Sequence, residues 1–104
     1  MQRVAKLARV GGKVAARTAL ALCASDAVAE AYIRRTVGKL RNADFCRTEA
    51  QVYEDWEVDA DIYAFVNGDG EWYVKLYFLH GQVTVVSCHP PEKLLRREDG
   101  TKIG

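Results

Sequence analysis

The sequence is poor in the residues that build metal centres and disulfide frameworks. It has three cysteines in 104 residues, Cys23, Cys46 and Cys88, and they are widely spaced with no C-x-x-C pair. This spacing indicates neither a zinc ribbon nor a redox pair, and it fits a reducing compartment. We therefore expect the protein to be cytoplasmic, with Cys88 acting as a small hydrophobic residue on the core face of its strand.

Long hydrophobic runs are also missing. No stretch approaches the roughly 20 apolar residues that cross a bilayer, so we expect no contact with a membrane. The apolar run Thr18–Ala24 is short, and Leu22 stands where a signal-peptide cleavage site needs a small residue. A hydrophobic content of 49% and a charged content of 28% are typical of a folded chain, and the length predicts one domain spanning residues 1–104.

The formal net charge of +1 hides two halves of opposite sign. Residues 1–41 hold nine Lys or Arg against two acidic residues, a net of +7, and residues 42–104 hold six against twelve, a net of −6. The basic half can face an anionic partner, whereas the acidic half argues against a protein that coats nucleic acid uniformly. The two halves can equally attract one another or a charged protein partner.

Alternating residues in Glu71–His80 predict a strand with two different faces. The apolar face, which belongs in a core, carries Trp72, Val74, Leu76 and Phe78. The opposite face is aromatic and cationic and carries Tyr73, Lys75 and Tyr77. A second strand, Val83–His89, follows after a short loop, so the two strands are expected to form a hairpin.

Loop length decides which residues of this hairpin face each other. A two-residue turn at His80-Gly81 places Trp72 opposite His89 and brings polar groups into the core. A three-residue loop instead gives the apolar pairs Val74–Cys88, Leu76–Val86 and Phe78–Thr84, and on the other face the pairs Tyr73–His89, Lys75–Ser87 and Tyr77–Val85. We predict the three-residue loop, because it separates apolar from functional groups.

The expected Tyr73–His89 pair beside Lys75 has chemical meaning. Histidine exchanges protons near neutral pH, tyrosine offers a hydroxyl and a ring for base stacking, and lysine supplies positive charge for a phosphate. The alternative is a sheet surface on which ordinary Tyr, Lys and His side chains lie exposed.

Helices are predicted in the first half of the chain. They span Gln2–Val10, Ala16–Ala24, and a third segment that a Ser25 or Asp26 cap begins and that runs to about Arg41. Gly11-Gly12 is expected to end the first helix, and Lys13–Ala15 to form an extended link. The buried face of the third helix is predicted to comprise Ala29, Ile33, Thr36, Val37 and Leu40.

Strands are predicted in the second half. Phe45 is expected to enter the core and Arg47 to point out of it. The acidic segment Gln51–Ala60 is predicted to be a loop or an irregular edge strand, followed by a strand at Asp61–Val66 and a tight turn at residues 67–70. A tail, residues 90–104, contains an expected turn at Asp99-Gly100. The fold class is therefore α+β, with N-terminal helices packed on a small antiparallel sheet.

The order and spacing of several short motifs, between about Val4 and His89, resemble the MqsR (motility quorum-sensing regulator) family of type II toxins. The motifs are a leading helix before Gly11-Gly12, Leu40-x-x-x-Asp44-Phe45-x-Arg47, Asp61-Ile62-Tyr63, Tyr73-Val74-Lys75-Leu76, and Val86-Ser87 followed by a basic residue at His89. The tail beyond His89 is not covered by the resemblance.

The resemblance implies a fold similar to RelE-type bacterial ribonucleases and an endoribonuclease (mRNA interferase) activity on messenger RNA, without a metal or other cofactor. It also implies neutralisation by a cognate antitoxin protein, expected to bind DNA. The family motif places a lysine where Arg47 stands, a tyrosine at Tyr73 and a basic residue at His89, and these three are the predicted catalytic residues. A family glutamine corresponds to Ala60, so its role is missing or filled elsewhere.

Chemistry assigns roles to these residues. Arg47 can hold a phosphate with two hydrogen bonds but is a poor proton acceptor, whereas His89 is an effective acid or base. Lys75 and Tyr77 are the predicted substrate-binding residues, with Lys75 on the phosphate and Tyr77 stacking on a base or filling space. Tyr73 is expected to take the second proton-transfer role or to stack on a base. The alternative function is a non-catalytic α+β module that binds a protein or RNA partner, which the acidic residues and Ala60 favour.

Overall fold

Two helices and seven strands build the described part of the chain, residues 8–104 of a computed structural model. The helices are α1 (Gly12–Leu22) and α2 (Asp26–Lys39), and a 3-10 turn follows at Asn42–Asp44. The strands are β1 (Arg9–Val10), β2 (Phe45–Tyr53), β3 (Trp56–Asn67), β4 (Gly70–Leu79), β5 (Gln82–His89), β6 (Leu95–Arg96) and β7 (Lys102–Ile103). The α+β class is therefore confirmed.

The main sheet has five strands in the order β1-β5-β4-β3-β2, and β6 pairs with β7 in a separate hairpin. Strands β3 to β5 form the predicted antiparallel meander, and β2 extends it by a strand that was not predicted. Strand β1 runs parallel to β5, with Arg9 opposite Thr84. The prediction of a purely antiparallel sheet is therefore wrong, and the sheet is mixed. The helix predicted at Gln2–Val10 is wrong at Arg9 and Val10, and its residues 2–7 lie outside the described residues.

The helices differ in how well the sequence predicted them. Helix α2 begins as expected, since the Ser25 hydroxyl accepts a hydrogen bond from the Val28 amide at 3.2 Å, and its predicted buried face is confirmed. Helix α1 begins at Gly12, so the predicted link at Lys13–Ala15 is wrong. Gly11 caps the start of a helix instead of following the end of one, and Ala15 already belongs to the buried stripe of α1.

The core lies between α2 and one face of the sheet, which we call the helix face. Its largest members from the strands are Trp72, Val74, Leu76 and Val85, and α2 contributes Ile33 and Val37. Cys88 is also buried there as predicted, and burial raises the pKa of its thiol to about 12. Phe78 was expected in this core but is 62% exposed, because it lies beyond the cluster that the helices cover.

The hairpin of β4 and β5 has the expected pairs near its open end but not near its turn. Tyr73 faces His89 and Lys75 faces Ser87, as predicted, whereas Leu76 faces Val85 and Tyr77 faces Thr84. The turn is the two-residue one, with φ of 51° at His80 and 76° at Gly81, a geometry that matches the twist of the strands. A β-bulge at Val86 inserts one extra residue and restores the Tyr73–His89 pair.

The acidic segment Gln51–Ala60 is a regular hairpin and not a loop or irregular strand. Glu54 and Asp55 form a two-residue turn with φ of 49° and 69°, and β3 begins directly afterwards. The carboxylate of Glu54 binds the Arg9 guanidinium at 2.6 Å, so this turn also contacts the start of the described chain. The Trp56 ring then meets the His80 ring edge-on at 5.0 Å, so the β2–β3 hairpin reaches the turn between β4 and β5.

The tail covers one end of the other face of the sheet, which we call the tail face. Leu95 and Ile103 are buried against Cys46, Ile62 and Ala64, and Tyr73 packs on the edge of this cluster. The expected turn at Asp99-Gly100 is confirmed by the hydrogen bond from the Gly100 amide to the Arg97 carbonyl at 2.9 Å. The Tyr73 side of the sheet is therefore partly closed by the tail.

Arg97 fastens the tail to the sheet. Its guanidinium donates to the Ala64 carbonyl at 2.8 and 3.2 Å and lies 3.3 Å from the buried carboxylate of Asp44. Asp44 is 1% exposed and also accepts from Arg41. The tail is consequently held by a buried ion pair as well as by apolar contacts.

We predict that Arg97→Met lowers the free energy of unfolding by about 2–3 kcal/mol, since it leaves a buried carbonyl and a buried carboxylate short of a donor. Denaturant unfolding measures this loss. Arg96→Met at the exposed neighbouring position is the control and should change stability by less than about 0.5 kcal/mol. Equal effects of the two substitutions would contradict the anchoring role.

Candidate functional site

The three predicted catalytic residues line one cavity of about 370 Å³ on the tail face, which we call the His89 cavity. Its lining residues are Arg17, Arg47, Tyr73, Ser87, His89, Glu92, Lys93, Leu94 and Leu95. Strands supply Arg47, Tyr73 and His89, helix α1 supplies Arg17, and the tail supplies the opposite wall. Residues that lie far apart in the sequence are thus brought together at one end of the sheet.

A second β-bulge places Arg47 on this face. Residues two apart in a strand share a face, so Phe45 and Arg47 would point the same way in a regular strand. The register of β2 shifts between them, with Phe45 opposite Tyr63 and Arg47 opposite Ile62. Phe45 therefore meets the Tyr63 ring edge-on at 5.7 Å, while Arg47 lies on the same side as Tyr73 and stays exposed.

The rings of Tyr73 and His89 stack, with centroids 5.2 Å apart and planes inclined by 22°. Both side chains are largely covered, since His89 is 8% exposed and Tyr73 is half-buried. The two rings lie on the same side of the sheet as predicted, but not on an open face. They reach solvent through the His89 cavity.

The hydrogen bonds of His89 leave one ring nitrogen as a base. Nδ1 lies 2.8 Å from the Pro90 carbonyl oxygen, which can only accept, so Nδ1 carries the proton and Nε2 keeps its lone pair. Burial lowers the pKa of His89, the bond to Pro90 raises it, and the charge of Arg17 lowers it, with a net shift below the ordinary value. His89 is therefore neutral at pH 7 and able to accept a proton.

The pKa of Tyr73, unlike that of His89, is shifted upward. Burial raises the pKa of its phenol, and the positive charges of Lys75 and Arg47 only partly oppose that shift. The hydroxyl therefore keeps its proton at neutral pH and can donate it. The site thus holds a proton acceptor and a proton donor side by side.

Glu49 binds the two nearest cations of β2 and β4. Its carboxylate accepts from the Arg47 guanidinium at 3.1 Å and from the Lys75 ammonium at 3.2 Å, and these bonds lower the pKa of Glu49. Burial lowers the pKa of Lys75, whereas the bond to Glu49 and the neighbouring Tyr53 and Tyr73 hydroxyls raise it, and the net shift is upward. Lys75 is buried and does not line the His89 cavity, whereas Arg47 does.

Tyr77 lies away from the His89 cavity. Its ring stacks on Tyr53 with centroids 5.2 Å apart and planes inclined by 12°, and it is 5% exposed. The Tyr53 hydroxyl in turn donates to the Gln51 side chain. Of the two predicted roles for Tyr77, this position favours filling space within the sheet.

Sequence reasoning missed Glu49 and the two contributors from outside the sheet, Arg17 and Glu92. Glu49 follows Arg47 at the two-residue spacing of a strand, and that spacing was an available signal. Arg17 and Glu92 form an ion pair between α1 and the tail, 75 residues apart in the chain. No local pattern indicates such a contact.

Among residues 8–104, no group of three or more His, Cys, Asp or Glu side chains is arranged to hold a metal ion. In the same part of the chain, neither helix has the length and apolar character needed to span a bilayer.

Comparison with protein-family models, curated proteins and solved structures finds no match for this chain.

We predict that His89 titrates below the ordinary histidine pKa of about 6.5, and that Arg17→Gln raises its pKa by removing a nearby positive charge. Since the folded state binds this proton less readily than the unfolded chain, stability should fall as the pH drops below about 6.5. NMR titration in a His80→Asn background, which leaves one imidazole to follow, measures the pKa. A His89 pKa above the ordinary value would contradict the assigned burial.

Proposed function

We propose that this protein is a metal-independent endoribonuclease that cleaves messenger RNA, and that it acts as the toxin of a type II toxin–antitoxin system. The observation that carries the proposal is the single cavity in which a neutral imidazole, a protonated phenol and a guanidinium meet. Cleavage of RNA at a 2′-hydroxyl needs a base, an acid and a cation for the phosphate, and these three groups supply them.

The base role belongs to His89. Its Nε2 lone pair takes the proton from the 2′-hydroxyl, whose oxygen then attacks the adjacent phosphorus. The bond from Nδ1 to the Pro90 carbonyl stabilises the imidazolium that forms, because that carbonyl accepts from a ring N–H.

Arg47 and Tyr73 serve the other half of the reaction. The guanidinium of Arg47 binds the non-bridging phosphate oxygens, on which negative charge increases in the transition state. The Tyr73 hydroxyl gives its proton to the 5′-oxygen as the phosphorus–oxygen bond breaks. The products are a 2′,3′-cyclic phosphate and a 5′-hydroxyl, and the proton on His89 returns through solvent to the Tyr73 phenolate.

The paired state of Lys75 limits its role in this scheme. Lys75 holds Glu49, and Glu49 faces Ala60, the position that matches the family glutamine. A carboxylate bound to Arg47 therefore occupies the region where the resemblance implies an amide. We infer that Lys75 acts indirectly, by holding Glu49 in place beside Arg47, so that a phosphate must displace this carboxylate to reach the guanidinium.

Three further parts of the proposal rest on the resemblance to the MqsR family. They comprise the RelE-like arrangement of helices and sheet, the cytoplasmic location, and a cognate antitoxin that binds DNA. The mixed sheet with helices on one face supports the first of these. The second candidate function is a non-catalytic module that binds protein or RNA, which the pairing of both Arg47 and Lys75 with Glu49 favours.

We predict that the purified protein cleaves RNA at an undiminished rate with a chelator present. His89→Ala and Tyr73→Phe should each reduce the rate by about 10²–10⁴-fold, the usual contribution of a positioned acid or base. His80→Asn is the matched control, because His80 lies outside the His89 cavity in a left-handed turn that Asn tolerates. Gel analysis of a labelled RNA measures the rate and identifies the cyclic phosphate.

The proposal fails if the His89→Ala, Tyr73→Phe double variant cleaves as fast as the unmodified protein. Loss of activity with chelator would point to a metal enzyme. Absence of cleavage together with tight binding of a protein or RNA partner would support the binding module.

A further inference from the structure

Helix α1 places two cations beside His89, of which Arg17 lines the His89 cavity together with Arg47 and Lys13 does not. A second cavity of about 170 Å³ meets the His89 cavity, and Arg17, Ser87 and His89 line both. The remaining lining of the second cavity is Lys13, Val14, Val86 and Cys88. The two cavities therefore make a groove with Arg47 towards one end, Lys13 towards the other and His89 between them.

Helix geometry puts Lys13 and Arg17 on the same side of α1, because residues four apart are neighbours on a helix surface. The position of α1 is fixed from its buried side, where the Thr18 hydroxyl donates to the Cys88 carbonyl at 2.5 Å. Cys88 immediately precedes His89 in β5. The distance between the α1 cations and the imidazole is thus set by a buried hydrogen bond and not by a flexible loop.

The two cations differ in their partners. Lys13 is exposed and forms no ion pair within residues 8–104. Arg17 is half-exposed and binds Glu92 of the tail, three residues after His89. One cation is therefore available for an anion, and the other already holds a carboxylate at the edge of the groove.

We propose that Lys13 and Arg17 bind a second phosphate of the RNA strand, next to the phosphate that Arg47 holds at His89. The inference rests on the proposed function for the identity of the strand. A groove with cations at both ends and a neutral imidazole between them matches two consecutive phosphates of one single strand. The substrate class is therefore an oligonucleotide and not a mononucleotide, which fills one end only.

Glu92 occupies the second phosphate position when RNA is absent. Its carboxylate binds the same guanidinium that the phosphate would bind, so the two anions compete for Arg17. Binding of the strand releases Glu92 and with it the local contact between α1 and the tail. The tail remains attached through Arg97 and the buried Leu95 and Ile103.

The test uses a short single strand of DNA, which lacks the 2′-hydroxyl and cannot be cleaved by the proposed reaction. Its affinity is measured as a function of salt concentration. The Lys13→Gln, Arg17→Gln double variant should bind about tenfold more weakly at low salt and should reduce the log–log salt slope by about 0.7, the value for one phosphate contact on a single strand. Glu92→Gln should bind more tightly, since the competing carboxylate is gone.

The Arg35→Gln, Lys39→Gln double variant is the matched control, because it also removes two positive charges from exposed positions four apart on one helix, and neither residue lines either cavity. The inference is overturned if the Lys13→Gln, Arg17→Gln variant keeps the unmodified salt slope, if the control variant reduces the slope equally, or if Glu92→Gln weakens binding. These results are separate from the nuclease test. If the salt slope depends on Lys13 and Arg17 but RNA is not cleaved, the second phosphate site is supported and the nuclease proposal is not. If RNA is cleaved but the substitutions leave the slope unchanged, only the second phosphate site is wrong.

Discussion

Two β-bulges set the geometry on which the candidate site depends. The bulge at Val86 lets a two-residue turn and a Tyr73–His89 pair coexist in the β4–β5 hairpin, and a regular ladder from that turn would send His89 to the helix face. The bulge between Phe45 and Arg47 lets Phe45 meet Tyr63 while Arg47 joins Tyr73 on the tail face. Bulges are common beside active sites because one extra residue redirects a side chain without breaking the sheet. The cavity is therefore built by two local interruptions in an otherwise regular meander.

Carboxylates hold most of the cations around this cavity. Glu49 binds Arg47 and Lys75, and Glu92 binds Arg17. The Arg47–Glu49 and Arg17–Glu92 pairs are exposed or half-exposed, so each contributes little to stability and exchanges readily for a stronger anion. A phosphate that enters the groove would meet cations already fixed in position, at the cost of displacing carboxylates. The acidic character of the second half of the chain is thus compatible with an anionic substrate, because part of that charge is paired with the groove cations.

The sequence predicted what depends on alternation and local capping. The strand at Glu71–His80, the Ser25 cap and the Tyr73–His89 pair all follow from spacing and side-chain chemistry, and the structure confirms them. The three-residue loop predicted for that hairpin was wrong. The prediction paired residues as in a regular antiparallel ladder, which has no bulge. The parallel strand β1 and the tail that covers Tyr73 were also missed, since both depend on contacts between distant parts of the chain. For the same reason, the structure was needed to identify Arg17 and Glu92 as residues of the candidate site.

The central claim is that the neutral imidazole of His89 takes the proton from the attacking hydroxyl. The most direct measurement is the pH dependence of the single-turnover rate of RNA cleavage, compared with the NMR titration of His89 in the same protein. We expect a rate that rises with pH and levels off, with an inflection at the His89 pKa, below the ordinary histidine value. A rate that stays constant across the titration of His89, or that falls as the imidazole loses its proton, would contradict it.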